Sequence, residues 1–504
     1  MPAAAGSDAT ASGQFFRYTL AADGSIGSSA DWDAGLRLTI QDWSTGRRIL
    51  SMSNTAGIAF RWGNLDTAQQ LALQKNPQTG ASDSTTVGQN RLNWLRGDSS
   101  NETTAGGLRA RPSTKLGAII NSSPWFVGEP SAGYSDVEFG GGYSSFKDDN
   151  TATNAVFVAA NDGMLHAFNG LTGDELFAYI PYGLYGVTSS APYSKLSAIT
   201  AKNFALNVGT SSVNADGSLM VAEMKVGGTW SQYLFGTLGR GGKGVYALNV
   251  TKPHLVTEAS SAVVKWEYGE ATGDPDIGYI VSRPTARGNG QPFQTGYMAN
   301  GKWAAIYGNG YNSSSGKAAL YIFFADGPGT GTATWTTGTH YIKIPVGTGG
   351  ADNGLGIATA FDSNNDGIVD TIYAGDLKGN VWKFDVSNSN PALWKVATTG
   401  DVPLYQASTR LTGTTTTVLQ PITTAVMPFR HPDGGFQLVF GTGKSLESID
   451  YPMSAPYQNT VYGLHDRIGN TTTITVGTTD LVIKSTTFVT VNGVNIRYVE
   501  NNTV

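Results

Sequence analysis

From about residue 115 onward, runs of four to eight residues rich in Val, Tyr, Phe and Trp are broken by Gly, Asn and Asp, the pattern of short strands joined by tight turns. Two of these runs align without a gap: residues 156–169 and residues 372–385 each read as a strand, a Gly-containing turn, and a second strand ending in an aromatic followed by an amide or acid. Residues 233–249 repeat the theme with a longer turn, and weaker copies lie around Trp303 to Phe323 and Leu438 to Ser445. A hairpin that recurs at intervals of tens of residues buries its faces by stacking on its copies, so the pattern predicts an all-β protein built as a β-propeller. At about 40 to 50 residues per blade, the stretch 115–504 would make about seven blades, or eight; a large β-sandwich is the alternative. Residues 1–114 read as an N-terminal lead-in segment packing on the propeller. Within it, helical spacing is confined to one short candidate, Asn64 to Leu73.

Composition supports this reading. The chain has 65 Gly, 22 Tyr, 20 Phe and 11 Trp, which suits strands and turns, and its 40% hydrophobic content permits a substantial core although only 14% of residues are charged. A net charge of −5 without any Lys/Arg cluster excludes a nucleic-acid or anionic-membrane partner. The absence of cysteine removes disulfides, thiolate metal sites and cysteine nucleophiles, and fits an exported bacterial protein. The start lacks a basic and apolar leader and no run of about 18 apolar residues follows, so no transmembrane segment is expected. Either the chain is cytosolic or its targeting segment has been removed, and both ends read as cut points within a longer protein.

The sharpest chemical signal is the run from Asp362 to Asp370. Asp362, Asn364 and Asp366 put hard oxygen donors at positions one, three and five, Gly367 supplies a sharp turn at six, and Asp370 adds a carboxylate at nine. Ile368, at seven, would contribute its backbone carbonyl. Three carboxylates with no Lys or Arg among them repel one another unless a cation lies between them. The twelfth position is Ile372 and the flanks read as strands, so this is a calcium loop between strands instead of helices. An ordinary hairpin turn is the alternative, since Asn-Asp-Gly favours one.

Other strings carry less. Gly239 to Gly244 matches G-x-G-x-x-G but runs into a strand, where no helix N-terminus awaits a pyrophosphate. Gly443-Lys444-Ser445 lacks the first glycine of a phosphate loop, because Leu438 stands there. Arg96-Gly97-Asp98 is a candidate integrin-recognition tripeptide if displayed on a polar turn. The five histidines, His166, His254, His340, His431 and His465, have no metal or triad spacing, and His166 reads as a packed strand residue opposite Trp382 of the other hairpin. No catalytic residues emerge, and the chain is not expected to be an enzyme.

Five strings, residues 91–98, 116–124, 161–168, 241–248 and 375–385, stand in the same order as in the C-terminal domain of the PilC/PilY family, which this chain resembles from about residue 90 to about 445. The resemblance implies a quinoprotein-like propeller carrying a calcium loop, the second part of a molecule whose first part is a variable adhesive region. It also implies calcium as cofactor, with ligands at Asp362, Asn364, Asp366, Ile368 and Asp370. The implied partners are major or minor pilins and a host-cell or abiotic surface. The implied role is type IV pilus biogenesis, regulating extension and retraction, twitching motility and attachment from the exported, outer-membrane-associated pilus tip. Two rivals remain. Residues 163–169 followed by 172–176 also resemble a quinone-dependent dehydrogenase, although this chain cannot make the vicinal disulfide of many such enzymes and its calcium loop is local. The other is an integrin-binding module centred on Arg96, Gly97 and Asp98.

Overall fold

The computed structural model describes residues 12–102, 107–186, 193–202, 204, 213–329, 334–347, 352–410, 417–446, 459–475, 486–491 and 494–499. Strands dominate, and they form antiparallel meanders that follow one another along the chain. The first sheet runs in spatial order Gly57–Ala59, Ile49–Met52, Glu175–Ile180, Met164–Asn169, Ala155–Ala160, Trp125–Val127. Residues 49–59 thus extend a propeller sheet, with Ile49–Met52 pairing in parallel with Glu175–Ile180. The second sheet comprises Leu219–Val226, Thr229–Thr237, Gly244–Asn249 and Val264–Gly269. The third is built on Thr295–Met298, Trp303–Gly308, Ala318–Phe324 and Tyr341–Val346. The fourth is built on Leu355–Phe361, Thr371–Asp376 and Asn380–Asp385, and the fifth on Met427–Arg430, Phe436–Gly441 and Val461–Asp466.

Each sheet is packed face to face against the next. Phe157, Leu165 and Phe177 of the first meet Leu219, Leu234 and Leu248 of the second. Phe235 and Trp266 of the second meet Tyr307 and Phe323 of the third, Ile306 and Ile322 of the third meet Ile372 and Phe384 of the fourth, and Tyr373 and Val381 of the fourth meet Leu438 and Phe440 of the fifth. Because a strand has two faces and each is covered, whole strands such as Trp303–Gly308 and Ala318–Phe324 are buried. This serial stacking is the β-propeller expected from the hairpin repeats. Among the described residues five sheets have three or more strands, against about seven blades reckoned from length. The long connection 270–294 takes up chain between the second and third sheets.

The helical candidate at 64–73 appears as Thr67–Gln74, started by a reciprocal capping box between Asp66 and Gln69. A longer helix, Thr85–Arg96, was not anticipated. Ser84 caps its start and Gly97, at φ +120°, closes its end, a pairing that the sequence did carry. No helix among the described residues is long and apolar enough to cross a membrane.

The two matching hairpins have the same register, Ala159 facing Leu165 and Gly375 facing Val381, and Gly163 and Gly379 both adopt positive φ in their turns. His166 is fully buried. Its Nδ1 lies 2.8 Å from Glu175 Oε1 and its Nε2 3.1 Å from both oxygens of Asp162, while Arg47 grips Glu175 with two hydrogen bonds of 2.7 and 2.8 Å. Burial alone would lower the His166 imidazole, but Asp162 and Glu175 outweigh it and push it up to about 9. Burial alone would raise the Glu175 carboxyl, but Arg47 and His166 bring it down to about 2. His166 is therefore the centre of a buried ionic network as well as a packed strand residue.

Candidate functional site

Strand Leu355–Phe361 pairs with Thr371–Asp376 so that Phe361 faces Thr371, and residues 362–370 are the connection between them. The loop folds around its own acceptors. Asp362 Oδ1 accepts from the backbone N–H of Asn365 at 2.6 Å and of Asp366 at 3.2 Å, and its Oδ2 from Gly367 at 2.7 Å. Asn364 Oδ1 accepts from Asp366 N at 3.0 Å, and Asp366 Oδ1 from Ile368 N at 2.8 Å. Asn365 and Gly367 adopt φ of +63° and +84°, which lets successive N–H groups turn inward. Asp370 closes the loop: its Oδ2 accepts from Ser363 N at 3.0 Å and Ser363 Oγ at 2.6 Å. Its Oδ1 is buried and has no hydrogen-bond partner.

The donor set fits a hard divalent cation. A carboxylate oxygen has two lone pairs, so backbone bonds orient Asp362 and Asp366 without exhausting them. The orphaned Oδ1 of Asp370 is a buried acceptor that lacks a positive partner. The cage is not ready-made, however: among the described residues no three carboxylate or imidazole groups converge as a metal-binding cluster. The Asp366 side chain is exposed, and its Oδ2 accepts from Asn364 Nδ2 at 3.0 Å.

Tertiary neighbours alter the charge around this loop. Arg430, from the fifth sheet, donates to Ser363 O and Asn365 Oδ1, both at 3.0 Å, and Arg287 lies within electrostatic reach of Asp362. The local sequence shows neither. Residues Ile368 and Val369 pair in parallel with Tyr297 and Met298, which ties the loop to the third sheet. Gly367 packs on the ring of Phe139, itself at φ +49° and 4.9 Å from Tyr297 and 5.0 Å from Trp303 by ring centres.

The integrin tripeptide is not displayed, which corrects the expectation of a polar turn. Arg96 ends a helix with 1% exposure, donating to Phe60 O at 2.9 Å and pairing with Glu258 at 2.8 Å. Gly97 caps that helix, and Asp98 accepts from Ser100 N and Oγ at 2.9 and 2.8 Å. Arg and Asp therefore do not stand out together for a partner to grip. The glycine string Gly239–Gly241 is a single helical turn leading to strand Gly244–Asn249, in keeping with a hairpin connection.

A family model described as the PilY1 beta-propeller domain matches residues 116–487. The type IV pilus biogenesis factor PilY1 of Pseudomonas aeruginosa strain PAK is 36% identical over 490 residues, covering 92% of this chain and 38% of that protein. A PilY1 homolog of Xylella fastidiosa strain Temecula1 is 32% identical over 406 residues, covering 74% of this chain and 24% of that one. The crystal structure of the Pseudomonas aeruginosa PilY1 C-terminal domain superposes with a TM-score of 0.56 at 32% identity, covering 75% of this chain and 73% of the other. This chain thus spans well under half the length of these PilY1 relatives. With the serial hairpin sheets, the loop at 362–370 and these likenesses together, the chain belongs to the PilY1 β-propeller family.

Proposed function

We propose that this chain is the calcium-responsive propeller of a type IV pilus biogenesis factor, without enzymatic activity, working at the exported cell surface with pilins as its partners. The observation that carries the calcium reading is the unpartnered, buried Oδ1 of Asp370 in a loop whose other hard oxygen donors stand at positions one, three and five. In this reading Asp362, Asn364, Asp366, Asp370 and the carbonyl of Ile368 hold one ion. The ion neutralises the crowded carboxylates and draws Asp366 inward. Since Ile368 and Val369 pair with the third sheet and Gly367 rests on Phe139, occupancy reaches the junction of the second and third sheets as well as the strand at Thr371. Pilus extension and retraction, twitching and attachment would respond through that surface.

Calorimetric titration of the purified chain tests the binding step. A calcium-specific heat that Asp362→Ala and Asp370→Ala both abolish is expected, with magnesium a poor substitute because it prefers a smaller octahedral shell. Absence of such heat in the folded chain would end the calcium reading. Surface piliation and twitching in a deletion strain carrying wild type or Asp362→Ala then test the regulatory step. Normal piliation and twitching with a confirmed binding defect would reduce the loop to a structural staple.

A further inference from the structure

A cleft of about 1500 Å³, away from the loop, opens between the outer edges of the second and third sheets and the turn at Tyr182–Tyr185. One wall is aromatic. Trp335 stands edge-on to Tyr268 and Trp266, at ring-centre distances of 5.0 and 5.3 Å, and Tyr341 lies 5.2 Å from Tyr268. Trp335 and Tyr341 remain half exposed, and Trp335 Nε1 donates to the carbonyl of Glu267 at 3.0 Å, which fixes its ring. Behind that wall the Glu267 carboxylate is already engaged within the protein, accepting from Tyr182 N at 2.8 and 3.0 Å and from the Tyr179 hydroxyl. At the rim, Lys243 lies 3.4 Å from Glu270 and over the ring of Tyr279, while Lys265, a lining residue, lies 6.0 Å from the centre of the Tyr233 ring and has no carboxylate partner among the described residues.

This lining selects by chemistry. The carboxylates and amines are out of place for a purely apolar ligand, and charges of both signs are interspersed, which suits neither a polyanion nor a polycation. The volume exceeds the roughly 300 to 1,000 Å³ of ordinary small-molecule pockets. An oligosaccharide matches each feature. Its C–H faces carry partial positive charge and settle on the negative faces of aromatic rings. Its hydroxyls both donate and accept, and so engage carboxylate acceptors and ammonium donors at once. We propose that this cleft binds an oligosaccharide, with Trp335 and Tyr341 as stacking platforms, the exposed Glu270 as hydroxyl acceptor and Lys265 as donor.

The full 504-residue chain would be titrated in a calorimeter with cellotetraose, chitotetraose and sialyllactose, followed by a broad array of neutral and anionic oligosaccharides. Saturable binding in at least one arm is expected, and the arm that binds distinguishes a neutral from an anionic sugar. Trp335→Ala should weaken it about tenfold, the scale of one lost aromatic platform. Because Trp335 also packs internally, Lys265→Met is the second variant, expected to weaken binding several-fold with the melting temperature unchanged. If no saccharide binds the folded chain, or if binding survives both substitutions undiminished, the proposal is overturned. It is equally overturned if a random peptide library, and no sugar, yields ligands that Lys265→Met disrupts.

Discussion

The hairpins 155–169 and 371–385 share register, turn glycine and burial, yet they fill the same ring position by opposite means. In the first, His166 is held between two carboxylates, and the charge is balanced by Arg47, which reaches in from the N-terminal segment. In the second, Trp382 Nε1 donates to Asp376 Oδ2 at 2.9 Å, and the rest of that carboxylate is met by neutral donors, including Asn380 N and Nδ2, both at 2.9 Å, and Asn353 Nδ2 at 3.1 Å. At this ring position one blade depends on a distant cation and the other draws its donors from nearby chain. Equivalent backbone does not mean equivalent dependence on the remainder of the molecule.

The largest test of that contrast is Arg47→Ala. Removing one member of a buried ion pair strands the other, so a loss of about 3 to 5 kcal/mol is expected in urea denaturation. Trp382→Phe, which removes one hydrogen bond to a charged group, should cost about 1.5 to 3 kcal/mol. If Arg47→Ala is no more damaging than Trp382→Phe, the contrast fails.

Titration sharpens it further. The His166 pKa is raised to about 9 in the folded chain, so its stabilising contribution is complete below its ordinary 6.5 and is lost as pH rises through about 9. Glu175 is lowered to about 2, so its contribution is complete above its ordinary 4.5 and is lost as pH falls through about 2. Melting temperature followed from pH 6 to 10 should therefore fall more in the wild type than in His166→Gln, which has no imidazole to deprotonate. Parallel curves would remove the ionic network from the account.

The second hairpin has its own distinguishing neighbour, since strand Thr371–Asp376 begins where the loop ends. Calcium should slow amide exchange at 371–385 and leave 155–169 unchanged, and equal protection of both would show that binding is not local. The smallest effect is expected from Arg430→Gln. Removing a guanidinium that touches the loop should tighten calcium by a few-fold at low salt, since one charge pair near the surface is worth about 1 kcal/mol or less and is screened by ions. Unchanged affinity would show that Arg430 serves the loop backbone alone.

Much of this molecule was legible in the sequence because it is local. Alternating apolar runs and turn glycines define hairpins wherever they occur, and two gap-free copies, 156–169 and 372–385, imply stacking that buries both faces. The loop donors lie within nine residues, so their spacing alone suggests the ion. What was missed depends on chain segments far apart. Arg47 and Glu175 are separated by 128 residues and Arg430 and Asn365 by 65, and no spacing rule reports such encounters. Arg96 looked accessible because its polar neighbours Asp98, Ser99 and Ser100 suggested a turn, whereas the helix it ends turns it inward to Phe60 and Glu258. The sequence determined by itself the strand pattern, the repeated turns and the oxygen-rich loop, since these depend on backbone propensity and on neighbours a few residues away. Only the tertiary structure decided which charges meet, which arginine is buried and where a cleft opens, because Coulomb attraction and burial act on distance in space and not along the chain.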